Sequence, residues 1–140
     1  MDSTRKEEPA SGAASGVLQK IKHKRSKYWC IMKHLANMRV HLQEAYAAAC
    51  EKEWWETAEV LKEITKEVDE VVKIVALHYQ TGEMPNDEKV EQKATMIRRK
   101  IQKVATLIMA RGEFKETFPV FMELFLATGH ANNIEEHILD

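Results

Sequence analysis

Six histidines and two cysteines are the side chains of this 140-residue chain best suited to hold a metal or move a proton near neutral pH. Cys30 and His34 stand one helical turn apart, the spacing of half a metal site. A complete tetrahedral site needs further ligands, and the sequence places none nearby. A solvated or core-edge pair is therefore expected, with no metal and no cofactor. The carboxylates Glu53, Glu56, Glu59 and Glu63 recur at helical spacing beside lysines, which suits a salt-bridged helix face better than acid–base catalysis. No phosphate loop, nucleophile elbow, zinc-protease helix motif or dinucleotide glycine fingerprint occurs. The residues do not point to an enzyme.

Two other groupings bear on binding. Lys20, Lys22, Lys24, Arg25 and Lys27 crowd the segment K-I-K-H-K-R-S-K, which Tyr28 and Trp29 follow. Basic residues with aromatic support suit phosphate contact or nuclear import, and a solvated helix start explains them equally well. Contact with an anionic membrane is weaker, because the opposing apolar face is thin before Tyr28. Residues 1–40 carry nine Lys/Arg against three Asp/Glu, whereas residues 41–140 carry twelve against nineteen. This asymmetry allows either an acidic partner or attraction between the two parts of the molecule. Trp54 and Trp55 are adjacent, so on a helix they point about 100° apart and cannot share one seam.

The elements that must position these residues are helices. Glu53–Ile64 (E-W-W-E-T-A-E-V-L-K-E-I) and Glu113–Leu124 (E-F-K-E-T-F-P-V-F-M-E-L) lie sixty positions apart and share five of twelve residues. Each copy follows a helical run ending in small or polar residues, the layout of a helix–turn–helix unit used twice. The alignment pairs Trp54 with Phe114 as core members and leaves Trp55, opposite Lys115, nearer the surface.

Hydrophobic side chains make up 44% of the chain and only five glycines and three prolines interrupt it, enough for one core and against sheet. Met1–Gly16 lacks large apolar residues beyond the initiator and reads as a disordered tail. Helices are predicted over about 17–50, 54–79, 87–110 and 114–128, with a short one at 134–139. The first is long enough that a break near Lys27 or Asn37 stays open. Pro119 either kinks the fourth helix or marks its regular start, and Gly129–Asn133 should end it. No run has the length of a membrane span. The fold expected is all-α, four main helices as two long antiparallel hairpins, either a bundle or a short helical repeat.

The turns Gly112-Glu113-Phe114-Lys115-Glu116-Thr117 and Lys52-Glu53-Trp54-Trp55-Glu56-Thr57 resemble the turn between the two helices of a tetratricopeptide-type repeat. That resemblance implies a helical-hairpin scaffold that binds other proteins. The chain departs from the pattern in having threonine for alanine, Lys52 for glycine, and a spacing well beyond about 34 residues. The basic segment and the helix holding Gln43-Glu44-Ala45, leading to K-E-W-W-E-T-A-E, are also similar to the TBP-associated A subunits of the RNA polymerase I promoter-selectivity factor. This similarity implies a nuclear, transcription-related complex.

The reading that follows is an intracellular adaptor or complex subunit, nuclear before cytoplasmic. Phe118, Phe121, Phe125 and Leu126 of an over-apolar fourth helix, with Trp55, would bind another protein or a second copy. The rival is nucleic-acid binding through Lys20–Lys27, joined by Arg98–Lys103, whose default role is a solvated face or pairing with glutamates of neighbouring helices.

Overall fold

The structure, a computed structural model, describes residues 9–139. Among these residues the chain forms four helices and no strand: α1 (Pro9–Glu51), α2 (Trp55–Thr81), α3 (Asp87–Met109) and α4 (Phe114–Leu139). Each helix buries one stripe at alternating spacings of three and four. In α1 the stripe is Tyr28, Ile31, Leu35, Met38, Leu42, Ala45 and Ala49. In α4 it is Thr117, Val120, Leu124, Ala127, Ala131, Ile134 and Ile138. A three-four repeat keeps one narrow seam inward over many turns, which suits nearly parallel helix packing. α1 packs on α2 and α4, and α3 packs on the same two, while the diagonal pairs do not pack along their lengths. The four helices therefore close into a bundle, with α1 against α4 as the closing contact.

Several expectations need correction. α1 is already helical at Pro9, ahead of Val17, and runs unbroken past Lys27 and Asn37; the alanines near its start favour helix. The remainder of the expected tail, residues 1–8, lies outside the described residues. α4 continues through Pro119 and Gly129 without stopping. Pro119 is exposed near the helix start, and Ala131, Ile134 and Ile138 carry the buried stripe beyond Gly129. Packing of that stripe outweighs the glycine, whose cost in a helix is only about 1 kcal/mol.

The core also differs in detail. Ile31 is fully buried in α1, and His78, 2% exposed, points inward from α2 while Tyr79 beside it is exposed. The repeat is not structurally equivalent either: Trp54 packs half-buried against the core, but Phe114 is 72% exposed. The two copies sit in different turns. Glu53 adopts φ 60°, the left-handed position that closes α1, with Trp54 N–H donating to Ala49 C=O at 2.8 Å and Glu53 N–H to Cys50 C=O at 3.0 Å. This pair of bonds satisfies the last carbonyls of α1, a role usually given to glycine.

Glu53→Gly is expected to raise stability by roughly 0.5–1 kcal/mol, the left-handed penalty of an L residue less the added freedom of glycine in the unfolded chain. Urea unfolding measures this. The same assay should separate the inward and outward faces of α4: Leu124→Ala should cost about 2–5 kcal/mol, and Phe125→Ala beside it no more than about 0.5.

Candidate functional site

α4 carries two apolar stripes, and only one of them is core. Phe114, Phe118, Phe121 and Phe125 recur at spacings of four, three and four on the side toward α3, with ring centroids 4.7 Å apart for Phe114–Phe118 and 6.3 Å for Phe121–Phe125. Phe125 is 60% exposed, Phe114 and Phe118 are exposed, and Phe121 leans half-buried on the core. With Met109 and Gly112 the first three line a cleft of about 240 Å³ at the α3–α4 turn. The sequence reading missed Phe114 because the repeat alignment assigned it to the interior.

The other residues expected on this surface do not join the stripe. Leu126 is exposed but lies about 100° around the helix from Phe125. Trp55, 62% exposed, sits at the start of α2, which does not pack on α4. Trp54 beside it is flanked by the Lys52 ammonium at 5.6 Å and the Arg111 guanidinium at 5.0 Å from its ring centre.

The basic segment divides. Lys20 and Lys22 are exposed on α1, and the side chain of Lys24 lies outside the described residues. Arg25 is exposed but lies over the Tyr79 ring at 6.0 Å, and its carbonyl accepts a hydrogen bond from Tyr79 Oη at 3.0 Å. Lys27 is drawn inward: its side chain is 8% exposed, and its ammonium reaches Asp87 and the Ile138 carbonyl, each at 3.4 Å. Tyr28 Oη donates to the same Asp87 carboxylate. Burial foremost, then that hydrogen bond and the carboxylate charge, push the Tyr28 hydroxyl far above its ordinary range. Lys27 thus joins α1 to the start of α3 and the end of α4, a structural role that competes with phosphate contact.

The basic face of α3 is largely committed to its neighbours. Lys93 pairs with Glu70 at 3.3 Å and Lys100 with Glu67 at 2.6 Å, both on α2, while Arg98 pairs with Glu135 of α4 at 2.5 Å.

The grouping the sequence could not reveal is a row of imidazoles along the α1–α4 seam. His34 and His41 are seven apart on α1, and His130 and His137 are seven apart on α4, so each pair returns to the same flank of its helix. Antiparallel packing interleaves them. His34 Nδ1 lies 2.9 Å from His130 Nδ1, and His41 Nδ1 lies 3.2 Å from Glu123 Oε2. The His34 ring is 5.4 Å from that of His137, and His41 stacks on His130 at 5.7 Å. His34 therefore pairs across the bundle instead of forming a half-site with Cys30; both cysteines are free thiols. Among the described residues no group of three or more such side chains stands ready to hold a metal.

Burial lowers the His34 pKa, helped by His130 and His137; burial also lowers that of His130, helped by His41. Near neutral pH the 2.9 Å contact is then a hydrogen bond between neutral rings, one Nδ1 donating and the other accepting.

Comparison with protein-family models, with curated proteins and with solved structures returns no match to this chain. No helix among the described residues is long and apolar enough to cross a membrane.

The imidazole row sets a direction for pH dependence. Because the folded pKa values of His34 and His130 lie below their unfolded values, the unfolded chain takes up protons first as pH falls through about 6.5. Their contribution to stability is present above that pH and lost below it. In chelator-treated protein, unfolding free energy should decline from about pH 7 to pH 5, and the His34→Gln/His130→Gln pair should flatten that decline. Urea titrations at stepped pH read the difference; equal slopes would remove these two rings from the acid response.

Proposed function

We propose that this chain is a non-enzymatic protein-interaction module, an adaptor or complex subunit that receives an amphipathic helix of a partner protein along α4. The observation that carries this reading is the second stripe Phe114, Phe118, Phe121 and Phe125, repeated at four, three and four outside a core that α1 and α3 already cover. A stripe with that period offers successive holes to apolar knobs of another helix. Exposed aromatic side chains that settle into a partner's pockets supply much of the energy of protein interfaces. The cleft lined by Met109, Phe114 and Phe118 gives the stripe a recess at one end. A nuclear, transcription-related setting rests on the similarity of the basic segment and the Gln43-Glu44-Ala45 helix leading to K-E-W-W-E-T-A-E.

The nucleic-acid reading keeps one supporting feature, the exposed Lys20, Lys22 and Arg25 near the start of α1. With Lys27 engaged elsewhere, and Arg98 and Lys100 paired with Glu135 and Glu67, such binding should be weak and should vanish as salt rises.

Phe118→Glu with Phe125→Glu should leave the circular-dichroism melt close to that of the parent and abolish partner capture or self-association in sedimentation velocity. Loss of the cooperative melt would instead assign both rings to the fold. Self-association of the parent that the double variant abolishes would make the occupant a second copy in place of a different protein.

A further inference from the structure

The α1–α4 seam joins the first helix to the last, and its flank is unusually rich in imidazole. His34 and His130, one from each helix, bring two Nδ1 atoms to 2.9 Å. Two imidazole nitrogens bound side by side on one zinc-like ion, each at about 2.0–2.1 Å, stand about 2.9–3.4 Å apart. The spacing is therefore already that of a chelate. To share one ion each ring must turn by roughly 35–45°, so that the two nitrogen lone pairs leave the line between them and converge on a point beside it. Both rings are half-buried, so an ion can reach them from solvent, while the neighbouring packing limits their rotamers.

We propose that His34 and His130 form a two-imidazole clip for a borderline divalent metal ion of the zinc, nickel or copper class, joining α1 to α4. Neutral imidazole suits these ions, whereas calcium and magnesium prefer oxygen. Binding displaces the hydrogen bond between the two Nδ1 atoms; as the donor ring loses its Nδ1 proton to solvent it takes one from solvent on Nε2, so both rings stay neutral with no net proton release, and water completes the coordination. Two features support the clip. The rings sit on different helices held in register by Lys27 to Ile138 on one side and His41 to Glu123 on the other, so the pair is preorganised and not merely adjacent on one surface. Both rings are also held in the neutral form that a metal needs, by burial and by the other imidazoles of the row. Because an ion held this way binds the folded chain and not the separated helices, it should stabilise the bundle in proportion to its occupancy.

The test is titration of chelator-stripped full-length chain with zinc chloride or nickel chloride in a non-coordinating buffer, followed by calorimetry and thermal melting. The expected result is saturable binding of one ion per chain and a melting temperature raised by several degrees, with no effect of magnesium or calcium. His34→Gln and His130→Gln should each lose the binding and the thermal shift while keeping the helical spectrum, and Cys30→Ser should keep both. In the parent chain the shift should fade below about pH 6, as protons compete for the rings. The clip is overturned by absence of binding to the parent chain, by binding that survives loss of His130, or by binding lost in Cys30→Ser, which would place the ion on one helix. One ion per two chains, with dimers in sedimentation, would also overturn it.

Discussion

The packing of α1 on α4 is the contact on which the rest of the structure depends. Without it the chain is two hairpins with uncovered apolar faces, and two such units are too few for a stable open array. The contacts at Lys27–Ile138, His34–His130 and His41–Glu123 set an antiparallel register. In that register Leu35 falls level with Ala131, Met38 with Ala127, and Ala45 with Val120. At these three layers a large side chain meets a small one, whereas Ile31 with Ile134 and Leu42 with Leu124 are large on both helices. Burial of these apolar side chains along the whole seam is what holds the bundle closed.

The bundle is held unevenly around its circumference. At one end Tyr28, Lys27 and Asp87 bring together α1, the first residue of α3 and the last turn of α4. At the other end a left-handed Glu53 and its two backbone bonds close α1 before α2 begins. The α2–α3 side is the least closely packed. It opens a groove of about 420 Å³ between Val60, Ile64, Val104 and Leu107, bordered by Glu63 and Glu67 on α2 and Lys100 and Lys103 on α3. Ion pairs Lys93–Glu70 and Lys100–Glu67 cross that side, where apolar contact is thinner; exposed pairs of this kind contribute only about 0–1 kcal/mol each.

Functional capacity resides at the flanks of the seams. In a three-four repeat the inward positions are taken by the core, so residues with other work must sit beside them. On α4 one flank presents the four phenylalanines toward α3 and solvent, and the other presents Glu123, His130 and His137 toward α1. A single helix thus carries an exposed aromatic stripe and a row of imidazoles on opposite sides of the same buried stripe.

Much of this was legible in the sequence for a plain physical reason. Period and propensity act locally, so four main helices and the break between about 79 and 87 could be read from spacing alone. The surplus of apolar residues on the fourth helix could be counted, and Phe118 and Phe125 do lie outside the core. What spacing cannot decide is which helices touch and in what register. Only that decision sent Lys27 inward to Asp87 and turned Phe114 outward despite its alignment with Trp54. It carried α4 past Gly129, because Ile134 and Ile138 found α1 to cover them. It also brought His34 within hydrogen-bond reach of His130, ninety-six residues away in sequence. Local sequence determines which stripe a helix can bury; the partner it is buried against exists only in three dimensions.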